Sequence, residues 1–330
     1  MRRRNKMASI REIAERAQVA PGTVSRALNN KGYISQETRE KIEQALKELD
    51  YVPNELARNL YRNRSNLIGV ILPDIEHPFF LGIIKKLVIE LKKYQYGVVL
   101  WTTEYDSGEE VKYLERLKCN AVDAAVIMVP VLAKSVYQGL GRPLILLDRI
   151  VDGITYIPID QEKSGRLAAR KLYQDGCRNV LTVIGEPSAE IPSYQRHVAF
   201  VDEMERLGGK VKVIKEEWTS FELEYHVNLA KKILKEEPQA DGIYAADILG
   251  TAFWKVLKEQ GKRVPEDFEI ISTDGVYENT NTVINLSAVI QPAEEIAKRI
   301  AKNILAQIEG KDAGTPDMVD VYLFGGDTTR

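Results

Sequence analysis

One stretch, from Ser9 to Leu60, constrains this chain more than any other: SIREIAERAQVAPGTVSRALNNKGYISQETREKIEQALKELDYVPNELARNL. Ser9 and Glu12 form the S-x-x-E capping box that opens a helix. Ile10, Ile13, Ala14 and Ala17 then recur at helical spacing, which predicts a first helix over roughly 10–17. Gln18-Val19-Ala20 is the turn. Pro21 suits the first position of a second helix, where the donor it lacks would be unpaired anyway. Val24, Ala27 and Leu28 supply that helix's inner face, and Asn29 to Gly32 break it. Ser35 caps a third helix with Ile42, Ala45, Leu46 and Leu49 inside, and Tyr51 and Val52 close the small core. Pro53-Asn54 opens a fourth helical segment. Three short helices back to back are the layout of a helix-turn-helix unit, and they point to duplex DNA.

Charge supports that reading. Residues 1–65 hold 14 Lys/Arg against 8 Asp/Glu, a balance of +6, and the remainder holds 32 against 40, a balance of -8, which together give the net -2. A basic head on an acidic body fits a small module that meets phosphate. At 330 residues, 44% hydrophobic and 28% charged, the chain has room for about two or three globular domains. No run of about 18 apolar residues predicts a membrane span. The basic start MRRRNKMASI has no apolar stretch behind it, so no secretory signal is expected and the location expected is the cytoplasm, at the nucleoid. Cys119 and Cys177 read as idle thiols. His77, His197 and His226 lack metal-ligand spacing, so neither a metal nor any other cofactor is expected.

The strings IREIAERA, TVSRALN, SQETREKI, YVPNELARNL and SNLIGVILPDIEHPFF resemble the LacI/GalR family of bacterial transcription regulators. The resemblance implies that the helix from Pro21 to Asn29 enters the major groove. Arg26 is the residue expected to read a base, since a guanidinium can bridge guanine O6 and N7. Thr23, Ser25 and Asn29 are expected on phosphates, and Ser9 is grouped with these DNA-facing residues. Two turn positions depart from the family pattern: Gln18 stands where Gly is usual, and Ala20 where Ser is usual. Pro21 and Gly22 occupy positions from which relatives often read bases, and here they can offer only apolar, backbone or shape-based contacts. In the family the segment NELARNLYR is a hinge helix that folds on the operator and enters the minor groove as a pair. Leu60 falls where the family inserts a wedge between base pairs, with Ala57 allowing close approach and Asn54 and Arg58 facing the backbone. The alternative for Leu60 is an ordinary packed leucine.

From Asn66 onward apolar runs alternate with helical patterns: LIGVILP, GVVLWTT, AAVIMVP, PLILLDR, YIPID, NVLTVIG, KVKVIK, GIYAAD, EIISTDG and SAVIQP read as buried, mostly parallel strands. These are too many for one comfortable sheet. The fold expected is an all-α helix-turn-helix head plus an α/β body of two doubly wound parallel-sheet lobes, resembling periplasmic sugar-binding proteins. The expected domains are a DNA-binding head over 1–52, a hinge helix and linker over 53–65, and an effector-binding and dimerisation body over 66–330. By the family layout, lobe one holds about 66–160 and 292–318, and lobe two about 161–290 and 319–330.

Asp148 ends LILLD and Asp274 ends IISTD, so both carboxylates are expected at strand carboxyl ends, facing a cleft where they can accept sugar hydroxyl protons. Matching Asp and Arg positions hold sugars in the family, which implicates Arg196 as well as the two aspartates. Trp218 and Phe79 are candidate ring platforms, joined by Phe80, Gln291 and Asp247. The bland alternatives are Asp148 paired with Arg149 or a helix N-terminus, Asp274 as a turn residue, Trp218 packed at an edge, Phe79 or Phe80 as core, and Arg196 in a surface ion pair. Ala246 stands where many sugar-responsive members have Asn, and His77 likewise replaces a frequent Asn. The strings NNKGYISQ, LYRN, LLDRIV and FGGDTT most resemble the sucrose-operon repressor branch, which suggests sucrose or a fructosyl oligosaccharide.

No G-x-S-x-G, H-E-x-x-H or phosphate-binding glycine loop occurs, and an enzyme is not expected, although Asp148 and Asp274 would be the pair in a glycosidase. The expected function is a homodimeric repressor of a carbohydrate-utilisation operon on a pseudo-palindromic double-stranded operator, released by a sugar between the lobes. Dimerisation is expected through helices near 79–94 and the surface near 250–260. The chain carries no leucine heptad tail, so no tail-mediated tetramer is expected. The rivals are a regulator that needs a corepressor (a purine, a sugar phosphate or a phosphoprotein) and a cleft-type sugar-binding transport protein.

Overall fold

The computed structural model describes residues 9–28, 32–51, 64–185, 190–216, 222–276, 284–312 and 314–330. The chain packs as two units, Met1–Arg64 and Ser65–Arg330.

The first unit is helical: α1 (Ile10–Ala17), α2 (Pro21–Leu28) and α3 (Gln36–Glu48). Both halves of the capping box form, with the Glu12 N–H on Ser9 Oγ at 3.3 Å and the Ser9 N–H on Glu12 Oε2 at 2.6 Å. Gln18 ends α1 at φ +54, in the left-handed region that a glycine reaches without a Cβ clash. Ile13, Ala14, Ala17, Val24, Ala27, Ile42 and Ala45 form the core, and Leu28, Leu46, Leu49 and Tyr51 pack against it. The expected segment Asn54–Leu60 lies outside the described residues, as do Asn29 and Val52.

The second unit contains two sheets. The first has the order β2-β1-β3-β4-β5, all parallel: β1 (Leu67–Leu72), β2 (Gly97–Thr102), β3 (Ala124–Ile127), β4 (Leu144–Leu146) and β5 (Thr155–Tyr156). The period of two sends Ile68, Val70 and Leu72 to one face, against α4 (Pro78–Lys92) and α11 (Ala293–Ile308). Ile71 and Ile127 face the other way, against α5 (Ser107–Lys118) and α6 (Lys134–Gln138). Burial of both faces explains why these strands read as unbroken apolar runs.

The second sheet has the order β11-β10-β9-β8-β6-β7. Its strands are β6 (Asn179–Ile184), β7 (Lys210–Lys215), β8 (Gly242–Ala246), β9 (Glu269–Asp274), β10 (Ser287–Ile290) and β11 (Tyr322–Phe324). One face packs on α7 (Gln161–Gln174) and α8 (Gln195–Leu207), and the other on α9 (Leu223–Glu236) and α10 (Asp247–Glu259). Sequence reading missed β11, which is three residues long and pairs antiparallel with β10. It is the edge strand of the sheet, and its residues are exposed or half-buried.

The chain passes between the sheets after β5, after β10 and before β11. Two of these crossings lie side by side: Ile159 bridges Val319, the Asp160 N–H donates to Val319 O at 3.0 Å, and the Val319 N–H to Pro158 O at 2.7 Å. Gln161 Nε2 donates to Gln291 Oε1 at 3.1 Å, which ties in the third.

Candidate functional site

On the head, Pro21, Gly22 and Arg26 are exposed on α2, Thr23 and Ser25 are half-buried, and Ser9 is exposed at the α1 cap. Arg26 lies back along its helix, with Nε 3.3 Å from Gly22 O and Nη2 3.4 Å from Thr23 Oγ1. A Cβ on Gly22 would meet nothing within 4 Å, so the first turn of α2 presents an open surface. Tyr33, in the turn before α3, is 93% exposed, and sequence reasoning did not single it out.

In the body a cavity of about 360 Å³ lies past the carboxyl ends of strands from both sheets. That is the size of a small-molecule site. Its walls include Phe79, Phe80, Asp148, Arg196, Asp247, Asp274 and Gln291, which the sequence had proposed. Trp218 lies outside the described residues. Open parallel sheets expose strand-end side chains and loop N–H groups at this edge, so polar groups gather there.

Asp274 ends β9 at φ +87, a strained conformation for a residue with a Cβ. Its Oδ1 accepts from Arg196 Nη1 at 3.3 Å and from the Gln291 amide. Arg196 is buried, unlike a surface ion pair: Nη1 also donates to Thr273 Oγ1 at 2.7 Å, and Nε to Ser193 O at 3.0 Å. Asp247 opens α10 and accepts the Val276 N–H at 2.6 Å and the Gly275 N–H at 3.4 Å, so it holds the turn after β9. Burial first, and the Asp274 charge second, push its carboxyl up.

Asp148 is bonded not to Arg149 but to a helix N-terminus, one of its two bland alternatives, while it also lines the cavity. It accepts the Ser193 N–H at 2.9 Å and the Ser193 hydroxyl at 2.6 Å, from a 3-10 turn (Pro192–Tyr194) on the other side of the cleft. Its carboxyl is also pushed up by burial, opposed by those two bonds. Glu190, just before that turn, meets both the Asp148 segment and α6. The Ile150 N–H donates to Glu190 O at 3.3 Å, and the Glu190 carboxylate lies 3.0 Å from Lys134 Nζ and 3.5 Å from Arg149 Nη2. Phe80 is core, and Phe79 packs beside it; both also reach the cavity wall.

The structure adds cleft residues that sequence reading had not proposed as ligand contacts. His197 Nδ1 lies 2.8 Å from Thr182 Oγ1, whose proton goes to Tyr244 O at 3.0 Å. Burial lowers its pKa to about 3, so it is neutral, with the proton on Nδ1 and the acceptor on Nε2. His77 is lowered too, by burial, and packs 4.3 Å from the Phe80 ring. Tyr105 and Tyr194 complete the wall. The only sequence signal for His197 was its place beside Arg196. Besides the two neutral histidines, the acidic and basic side chains on the described walls are Asp148, Asp247, Asp274 and Arg196. Such a site suits a neutral ligand rich in hydroxyls and disfavours an anion. Among the described residues no group of His, Cys, Asp and Glu could hold a metal ion, and no helix is long and apolar enough to cross a membrane.

Residues 9–54 match the model of the lacI family of bacterial regulatory proteins, and residues 169–329 match a periplasmic binding protein-like domain. The ribose operon repressor of Halalkalibacterium halodurans is 33% identical, over 94% of this chain and 93% of that protein. The chain belongs to the lacI family of bacterial regulatory proteins. The sucrose operon repressor of Streptococcus mutans is 29% identical, over 98% of this chain and 99% of its own length. Identity to ribose and sucrose operon repressors is thus close to equal, and sucrose is one branch of the relatives. A crystal structure of the lac repressor dimer, bound to operator and the anti-inducer ONPF, superposes with a TM-score of 0.85. It covers 98% of this chain and 99% of that one at 21% identity, a likeness of fold. The relatives named here are repressors rather than enzymes.

Proposed function

We propose that this lacI-family chain is a sequence-specific repressor of a carbohydrate-utilisation operon, released when a neutral sugar occupies the cleft. The observation that carries the reading is the convergence of Arg196, Asp274, Gln291, Asp148 and neutral His197 on one cavity. These groups alternate donors and acceptors, as vicinal hydroxyls require. Relatives named ribose and sucrose operon repressors support the class of ligand.

The DNA-binding domain is residues 1–52, and 53–65 form a hinge whose folding on the operator depends on the body. Arg26 reads bases, Thr23 and Ser25 contact phosphate, and Leu60 wedges the minor groove. Two copies read two half-sites of a pseudo-palindrome. Leu81, Val88 and Ile89 are exposed on α4, an apolar face suited to a second copy. Ligand binding favours the closed body, and Asp148–Ser193 and the Glu190 contacts are bonds that closure would strengthen. Only a difference in ligand affinity between body states is required.

A thermal-shift screen of sugars, sugar phosphates and purines tests this, because a ligand of the folded state raises Tm. A neutral sugar should do so in the native protein and fail in Asp274→Ala, with operator binding intact. A purine or sugar phosphate as the sole stabiliser would overturn the reading in favour of a corepressor. Removing residues 1–62 separates the transport rival: the truncated protein should keep sugar binding and lose DNA binding.

A further inference from the structure

Among the described residues that line the cleft, Tyr105 alone is exposed, at 43%. Arg196, Asp247 and Gln291 are buried on the same cavity. The tyrosine therefore stands at the rim and the polar groups at the floor. Its backbone sets it apart as well. Glu104 and Tyr105 follow β2 with φ +49 and +63, two consecutive non-glycine residues in the left-handed region. A bulky side chain there costs free energy that glycine would not. This chain does use glycine at other left-handed turns, such as Gly153, Gly208 and Gly261. Keeping a tyrosine in such a turn makes sense if the side chain is used.

The turn is also fixed in place. The Thr103 N–H donates to Leu72 O at 3.0 Å, the Glu104 N–H to Pro73 O at 2.9 Å, and the Asp106 N–H to Thr103 O at 2.8 Å. The backbone that carries the ring is thus tied to Leu72 and Pro73, in the segment that leads into Phe79. Burial of the phenol, and Asp74 beside it, push its pKa to about 12, so the hydroxyl keeps its proton at neutral pH.

We propose that Tyr105 is a specificity-determining residue that selects saccharides of two or more rings over monosaccharides. The floor around Arg196 and Asp274 holds one ring, and Tyr105 packs against the apolar face of the next ring as it leaves the cleft. This rests on the sugar reading above.

Titration calorimetry on the full chain decides it, with D-ribose, D-glucose, sucrose, cellobiose and raffinose against the native protein, Tyr105→Ala and Tyr105→Phe. Tyr105→Ala should weaken the preferred di- or trisaccharide about five- to tenfold. Tyr105→Phe, which keeps the ring, should stay within about twofold of native. Monosaccharide affinity should be equal in all three proteins. An unchanged oligosaccharide affinity in Tyr105→Ala, an equal loss for monosaccharides, or a native protein that binds only monosaccharides would each overturn the proposal while leaving the sugar reading intact. If the native protein binds none of the five, the sugar reading fails and this proposal fails with it.

Discussion

Gly165 sits where α7 crosses α8, and the body leaves no room for a methyl group there. A Cβ on Gly165 would lie 2.0 Å from Arg196 O and 2.6 Å from Phe200 N, both backbone atoms of α8. Contacts under 3.0 Å do not persist, so Gly165→Ala must drive the two helices apart by about 1 Å. Backbone cannot rotate away as a side-chain end can, which puts the cost at the upper end of overpacking, about 3 kcal/mol. Alanine recovers about 1 kcal/mol of helix propensity, so roughly 2 kcal/mol of destabilisation remains. At about 2–4 °C per kcal/mol for a body of this size, Tm should fall by roughly 4–8 °C. The functional effect should exceed the stability effect. The carbonyl that must move belongs to Arg196, whose guanidinium spans 2.7 Å to Thr273 and 3.3 Å to Asp274, so sugar affinity should fall too. Gly82→Ala in α4 is the control: its Cβ would meet only Ala293 Cβ at 3.9 Å, so that variant should be as stable as native or more so. Differential scanning calorimetry of both variants, followed by sugar titration, is the assay. A Gly165→Ala protein that melts with Gly82→Ala and binds sugar normally would refute the argument.

Arg26→Ala should lose about 1–3 kcal/mol of specific DNA affinity, and an unchanged operator footprint would remove it from base reading. Leu60→Ala should reduce the DNA bend seen by gel phasing, whereas a packing leucine would leave the bend unaltered. Glu269 is fully buried; burial first, and Asp175 beside it second, hold its carboxyl above the ordinary carboxylate range, against the opposing pull of Arg330. The folded protein therefore binds this proton more tightly than the unfolded chain. Its stabilisation is complete below the unfolded pKa and is lost as pH rises towards the folded one. Glu269→Gln should flatten the decline of Tm between about pH 5 and 8, and an identical slope in the variant would contradict this.

Local signals settled the elements of this protein, because they are written in neighbouring residues. Ser9 and Glu12 are three positions apart and close their box within one turn. Pro21 starts α2, and the unbroken apolar runs of β1 and β3 announce strands covered on both faces. The topology of open parallel sheets then carried Asp148 and Asp274 to the cleft edge without any contact being known. What those carboxylates touch was decided only by the tertiary structure. Asp148 meets Ser193 from 45 residues away, and Arg196 meets Thr273 from 77. Periodicity reports which face of an element is buried, and says nothing about which polar group from a distant segment will oppose it. The same limit hid His197, neutral only because the fold desolvates it, and Tyr105, placed at the rim by two left-handed residues that no hydrophobic pattern marks.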